Sequence, residues 1–185
     1  MKLEWLSQLT DAELVEALGT PHLARAASHE LQKRGRDAAR AVLAGLADAR
    51  AAVRLHCCRL MDRIYLPEDF PTLMRMLDDP HPAVRSSVLH TLSCDRCKAD
   101  EAPPIEGPLL DRAILAVAAD PDRHVRMMAL EAVGRAVHVS RRASEAIALA
   151  ASSDPSAPVR KKARWFAPGG PVHRRTAPRL ARRAG

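Results

Sequence analysis

An all-α chain, folded as an α-solenoid of about five antiparallel helix pairs, is what the 185-residue sequence predicts, and three observations lead there. A motif of the form Asp-x-x-x-x-Val-Arg recurs four times, with proline directly after the Asp in three copies and Ala49 in the first. Apolar columns flank each copy in one register. Alanine and leucine, both good helix formers, supply most of the apolar content, beside only five aromatic residues: Trp5, Tyr65, Phe70, Trp165 and Phe166. Few stretches show the period-two alternation that strands need.

The four motif copies begin at Asp48, Asp79, Asp120 and Asp154, and their valines, Val53, Val84, Val125 and Val159, recur after 31, 41 and 34 residues. Arg54, Arg85, Arg126 and Arg160 follow directly. Five residues before each Asp stands a large apolar residue (Leu43, Met74, Leu115, Leu149). Four residues after each Val stands a smaller one (Cys57, Val88, Ala129, Ala163), and eight after it come Met61, Leu92, Val133 and, as a departure, Ala167. These offsets place one apolar face before the Asp and another after the Val. An Asp at such a turn can accept backbone N–H groups and cap the second helix. Proline after it stops the first helix. The arginine, one turn on, can reach its own Asp or that of the adjacent repeat, so stacked copies form an Asp–Arg ladder.

In chain order, residues 1–35 read as a degenerate capping pair, with helices near Asp11–Leu18 and His22–Arg34. There Thr20-Pro21 replaces Asp-Pro and Arg25-Ala26 replaces Val-Arg, as terminal repeats allow. The next pairs fall near Asp37–Ala47 with Ala51–Ile64, and Pro67–Leu77 with Pro82–Ser93. An insertion over 94–107, containing Pro103-Pro104, precedes Pro108–Ala119 with Arg123–Val137, and Arg141–Ala151 with Pro158–Phe166 closes the solenoid at 166. Residues 167–185, rich in proline, glycine and arginine, predict an extended or mobile tail.

The repeat resembles the HEAT-repeat family, in short bacterial-type form, over roughly Asp37 to Phe166. That resemblance implies a curved solenoid presenting second-helix positions such as Arg59, His90 and Glu131 to a partner. HEAT-like proteins include alkylpurine DNA glycosylases and lyases that attach bilins, but no catalytic set of either can be carried onto this chain. With no Gly-rich phosphate loop, nucleophile elbow or paired-carboxylate site, the chain reads as not an enzyme, and as a scaffold or adaptor for another protein.

Charge supplies an alternative. The net +7 is segregated: Ser156 to Gly185 holds nine basic residues (Arg160, Lys161, Lys162, Arg164, Arg174, Arg175, Arg179, Arg182, Arg183) and no acid, against a body of −2. With Trp165 and Phe166 between the two groups, this end could bind a polyanion such as nucleic acid without base specificity. The equally plain reading is a solubilising tail. The first residues read as an amphipathic helix, not a signal peptide, and no apolar run approaches the roughly 18 residues of a membrane span. A cytoplasmic location without membrane contact is therefore expected.

No cofactor is required by these motifs. His90, Cys94 and Cys97 nevertheless converge at helical spacing, and Cys58 or His56 on the neighbouring second helix could complete a zinc set. The plainer expectation is free thiols beside a loop.

Overall fold

The computed structural model describes residues 4–94, 97 and 103–178. It is an α-solenoid of antiparallel helix pairs, and no strand occurs among the described residues. The chain divides into two compact units, 1–104 and 105–185, whose boundary falls inside the proline-bearing insertion.

In the first unit α1 (Asp11–Ala17) packs on α2 (Pro21–Arg34), α3 (Ala39–Gly45) on α4 (Ala51–Ile64) and α5 (Phe70–Met76) on α6 (Pro82–Ser93). The second helices stack from α2 to α4 to α6. A short 3-10 turn, Glu4–Gln8, stands where an amphipathic helix was expected. Thr10 explains the start of α1. Its hydroxyl accepts the Glu13 N–H at 3.3 Å while the Glu13 carboxylate accepts the Thr10 N–H at 2.8 Å, a reciprocal cap. Pro21 and Pro82 open α2 and α6, where a missing N–H costs nothing. Gly45 lets α3 approach α4 and α1 closely, since a Cβ there would strike the Cys57 sulfur and the Val15 side chain.

In the second unit α7 (Gly107–Ala119) packs on α8 (Arg123–Arg135) and α9 (Arg141–Ser153) on α10 (Ala157–Phe166), with α8 stacked on α10 and α7 on α9. The expected extended tail is corrected at α11 (Pro171–Thr176), which packs on α10. Gly169, at φ 79°, turns the chain after α10, and Pro171 then opens a new helix as readily as it ended the old one.

The repeated columns become the core. Val53, Val84, Val125 and Val159 are buried, and so are Cys57, Val88, Ala129 and Ala163 one turn later and Met61, Leu92 and Val133 after that. Each motif valine contributes roughly 1.5–3 kcal/mol of apolar burial. Ala167 is half-buried. The column before the Asp behaves otherwise: Leu43 and Met74 are half-buried, whereas Leu115 and Leu149 stand 56% and 62% exposed.

Candidate functional site

The four motif turns share one hydrogen-bond plan. In each, an Asp carboxylate oxygen accepts the N–H two residues on, from Arg50, His81, Asp122 and Ser156, at 2.7–2.9 Å. The expectation that these acids cap the second helix shifts by two residues. They close the turn, while the N-cap positions are Arg50, His81, Asp122 and Ser156. His81 Nδ1 accepts the Ala83 N–H, and the Asp122 carboxylate accepts the His124 and Val125 N–H groups.

The arginines join successive turns. Arg54 donates to both oxygens of Asp79, through Nε at 2.7 Å and Nη2 at 3.0 Å, and its Nη1 donates to the Asp48 carbonyl at 2.8 Å. Arg126 does the same to Asp154, at 2.8 and 3.1 Å, and to the Asp120 carbonyl at 2.8 Å. Arg85 and Arg160 donate to the carbonyls of their own Asp79 and Asp154. So each arginine fastens its own turn through a carbonyl, and Arg54 and Arg126 pair forward with the next carboxylate. The guanidinium groups of all four arginines are thus engaged by carbonyl or carboxylate oxygens.

The first rung is built differently. Ala26 at the arginine position cannot reach Asp48, and Arg50 substitutes from the other side. It holds both oxygens of Asp48 and both oxygens of Glu16, all within 3.0 Å, lying over Gly19. Hydrogen bonds from the Arg50 guanidinium and amide hold the Asp48 carboxyl at about 2. Burial alone would raise Asp79, but the Arg54 guanidinium and the His81 N–H outweigh it and keep that acid below its ordinary value. Both shifts are downward, so the stability they supply is complete above the unfolded carboxylate value of about 4 and is lost as pH falls toward about 2. The share of the urea midpoint that these two acids supply is expected to stay level from neutrality down to about pH 5 and to drop below it, beside a smaller loss that begins nearer neutrality from His56, whose imidazole is held below its ordinary value by burial. Arg50→Gln should weaken that acid dependence; an unaltered profile in this variant would separate Asp48 from it.

At the C-terminal end of α6 a second cluster forms. Donor atoms of Asp62, His90, Cys94 and Cys97 all lie within 4.8 Å of one another. His90 Nε2 is 3.4 Å from an Asp62 oxygen, and the two sulfurs are 3.3 Å apart. A hydrogen bond to Asp62, then burial and the adjacent Cys94, push the Cys97 thiol up to about 12. Neither expected fourth partner is present. Cys58 is fully buried, its thiol pushed up to about 12 by burial, and its carbonyl accepts the Thr91 hydroxyl. His56 lies against Ser28, 3.4 Å from its hydroxyl. Asp62 was legible in principle: it stands nine residues after Val53, on the helical face that corresponds to His90 and Cys94, six and ten after Val84.

The basic end gives no support to a polyanion surface. Lys162 pairs with Glu131, Arg160 holds the Asp154 carbonyl, and Arg174 donates to the Gly169 carbonyl. Lys161, Arg164 and Arg175 are exposed, whereas Arg179, Arg182 and Arg183 lie outside the described residues. Of the partner-facing positions expected on second helices, Arg59 is exposed, while Glu131 and His90 are engaged with Lys162 and Asp62.

A groove of about 550 Å³ lies between α7 and α9 instead. Ile114, Val117, Ala118, Ala146 and Leu149 line it, with Arg142 and Glu145 among its polar residues. Arg142 also pairs with Asp111 at 2.7 Å, and Glu145 with Arg141 at 2.6 Å, both at exposed positions. No helix among the described residues is long and apolar enough to cross a membrane.

No curated protein matches the sequence. Among solved structures, a chain in the complex of CpcE and CpcF of phycocyanin lyase from Nostoc sp. PCC7120 is similar, at 18% identity and a TM-score of 0.67. The match covers 89% of this chain and 99% of that one. The expectation that the chain is not an enzyme is thereby overturned: its fold is shared with part of a lyase, and a solenoid without a familiar catalytic motif is no argument against chemistry. The family model of the HEAT repeat matches residues 70–94, the span of α5 and α6, so the chain carries a HEAT repeat within an α-solenoid.

Proposed function

We propose that the chain is a protein-binding repeat module and that an apolar segment of its partner seats in the groove between α7 and α9. The observation that carries this reading is Leu149, 62% exposed at the wall of an apolar groove flanked by ion pairs. Large apolar side chains held in solvent at a concave site suit a buried anchor surrounded by a polar rim. The two-chain composition of the similar lyase complex supports a protein as the partner class.

A partner captured on the full chain, identified and then purified, should bind the wild type directly. Leu149→Glu sets a carboxylate against that apolar contact and is expected to weaken binding by about tenfold or more. Equal affinity for both proteins would remove the groove from the interaction.

A further inference from the structure

We infer that Asp62, His90, Cys94 and Cys97 form a zinc site at the end of α6. The donor set is two thiols, one imidazole and one carboxylate, a combination that suits zinc better than calcium or magnesium. A zinc ion with bonds of about 2.3 Å to sulfur and about 2.0 Å to nitrogen or oxygen sets its ligand atoms roughly 3.3–3.8 Å apart in a tetrahedron. The His90–Asp62 separation of 3.4 Å lies close to the nitrogen–oxygen edge, and the Cys94–Cys97 separation of 3.3 Å has to open by about 0.5 Å to reach the sulfur–sulfur edge. All four atoms fall within 4.8 Å of one another, so side-chain adjustments of about an ångström bring them onto one centre.

The surroundings fit the same conclusion. Asp62 is buried on α4 and presents its carboxylate to His90 and Cys97. His90 is half-exposed, at 44% of its side-chain surface, which leaves an entry path for the ion. The two cysteines lie around the end of α6, where Ser93 back-bonds to the Leu89 carbonyl and Cys94 is the C-cap. Four protein ligands leave no open position, so the ion is structural. It ties α4 to the end of α6 and to the residues that follow, where the insertion begins. On binding, both thiols lose their protons to solvent and the imidazole coordinates in its neutral form, leaving one net negative charge on the centre.

The test uses the full-length chain, purified reduced and without chelator, with zinc measured by plasma mass spectrometry. Close to one equivalent per chain is expected. Cobalt substitution should give thiolate charge-transfer bands and the intense visible bands of a tetrahedral ion. Cys97→Ser and the more exposed His90→Gln, each checked for wild-type helicity by circular dichroism, should both lower zinc affinity by about tenfold or more. The proposal is overturned if the reduced wild type takes up no zinc, if both variants keep wild-type affinity, or if Cys94 and Cys97 form a disulfide that zinc cannot compete with under reducing conditions.

Discussion

Arg126→Ala is expected to destabilise the second unit by about 3–5 kcal/mol, the cost of removing one partner from a buried ion pair. The carboxylate of Asp154 is almost wholly buried, with 4% of its side chain exposed, and Arg126 supplies two of its hydrogen bonds. Without the guanidinium, the Ser156 N–H remains on one oxygen and the negative charge loses its counterion. The Asp120 carbonyl loses a donor as well. Arg160→Ala provides the comparison. Arg160 holds the Asp154 carbonyl through one bond and pairs with no carboxylate among the described residues, so the loss should be only about 1 kcal/mol. If the charge left behind is what destabilises, Arg126→Met with Asp154→Asn should recover much of the stability, because the amide oxygen still accepts from Ser156. Denaturation midpoints of the three proteins decide it. A loss under about 1 kcal/mol in Arg126→Ala would mean that solvent reaches the pair and that the ladder is only a surface feature.

The ladder was readable because its two residue types sit at a fixed six-residue separation, four times over. Its forward direction was not, because Arg54 reaches Asp79 rather than the Asp48 carboxylate only once the pairs are stacked. The opening rung shows the same limit: Arg50 falls outside every repeated column, yet it binds Asp48 and Glu16. The cysteine and histidine cluster was legible within α6, where local spacing brings His90 and Cys94 together. Its fourth member depended on how α4 lies against α6, and the apolar register that seals Cys58 in the core is what turns Asp62 toward the cluster. The short α11 was missed because proline and glycine count against helix interiors, while Gly170-Pro171 reads equally well as a helix start.

The apolar column ahead of each Asp shows why one offset can carry two meanings. In the first unit α3 and α5 end at Gly45 and Met76, and two turn residues precede the Asp. In the second unit α7 and α9 run straight to Asp120 and Asp154, which cap their C-termini. The helical phase at a fixed distance from the Asp therefore differs. Six residues before it, Val42 and Leu73 are buried; in the second unit the buried positions are one residue earlier, Ala113 and Ile147. Leu115 and Leu149 are turned to solvent by the same phase change. Ile147→Ala should then cost about 2–5 kcal/mol through the lost methylenes and the cavity left behind. Leu149→Ala, two residues on, should stay within about 0.5 kcal/mol of wild type. The contrast bears on function, because a leucine that contributes nothing to stability yet stays in solvent is free to serve a partner. Comparable losses in both variants would return Leu149 to the core and take the docking groove with it.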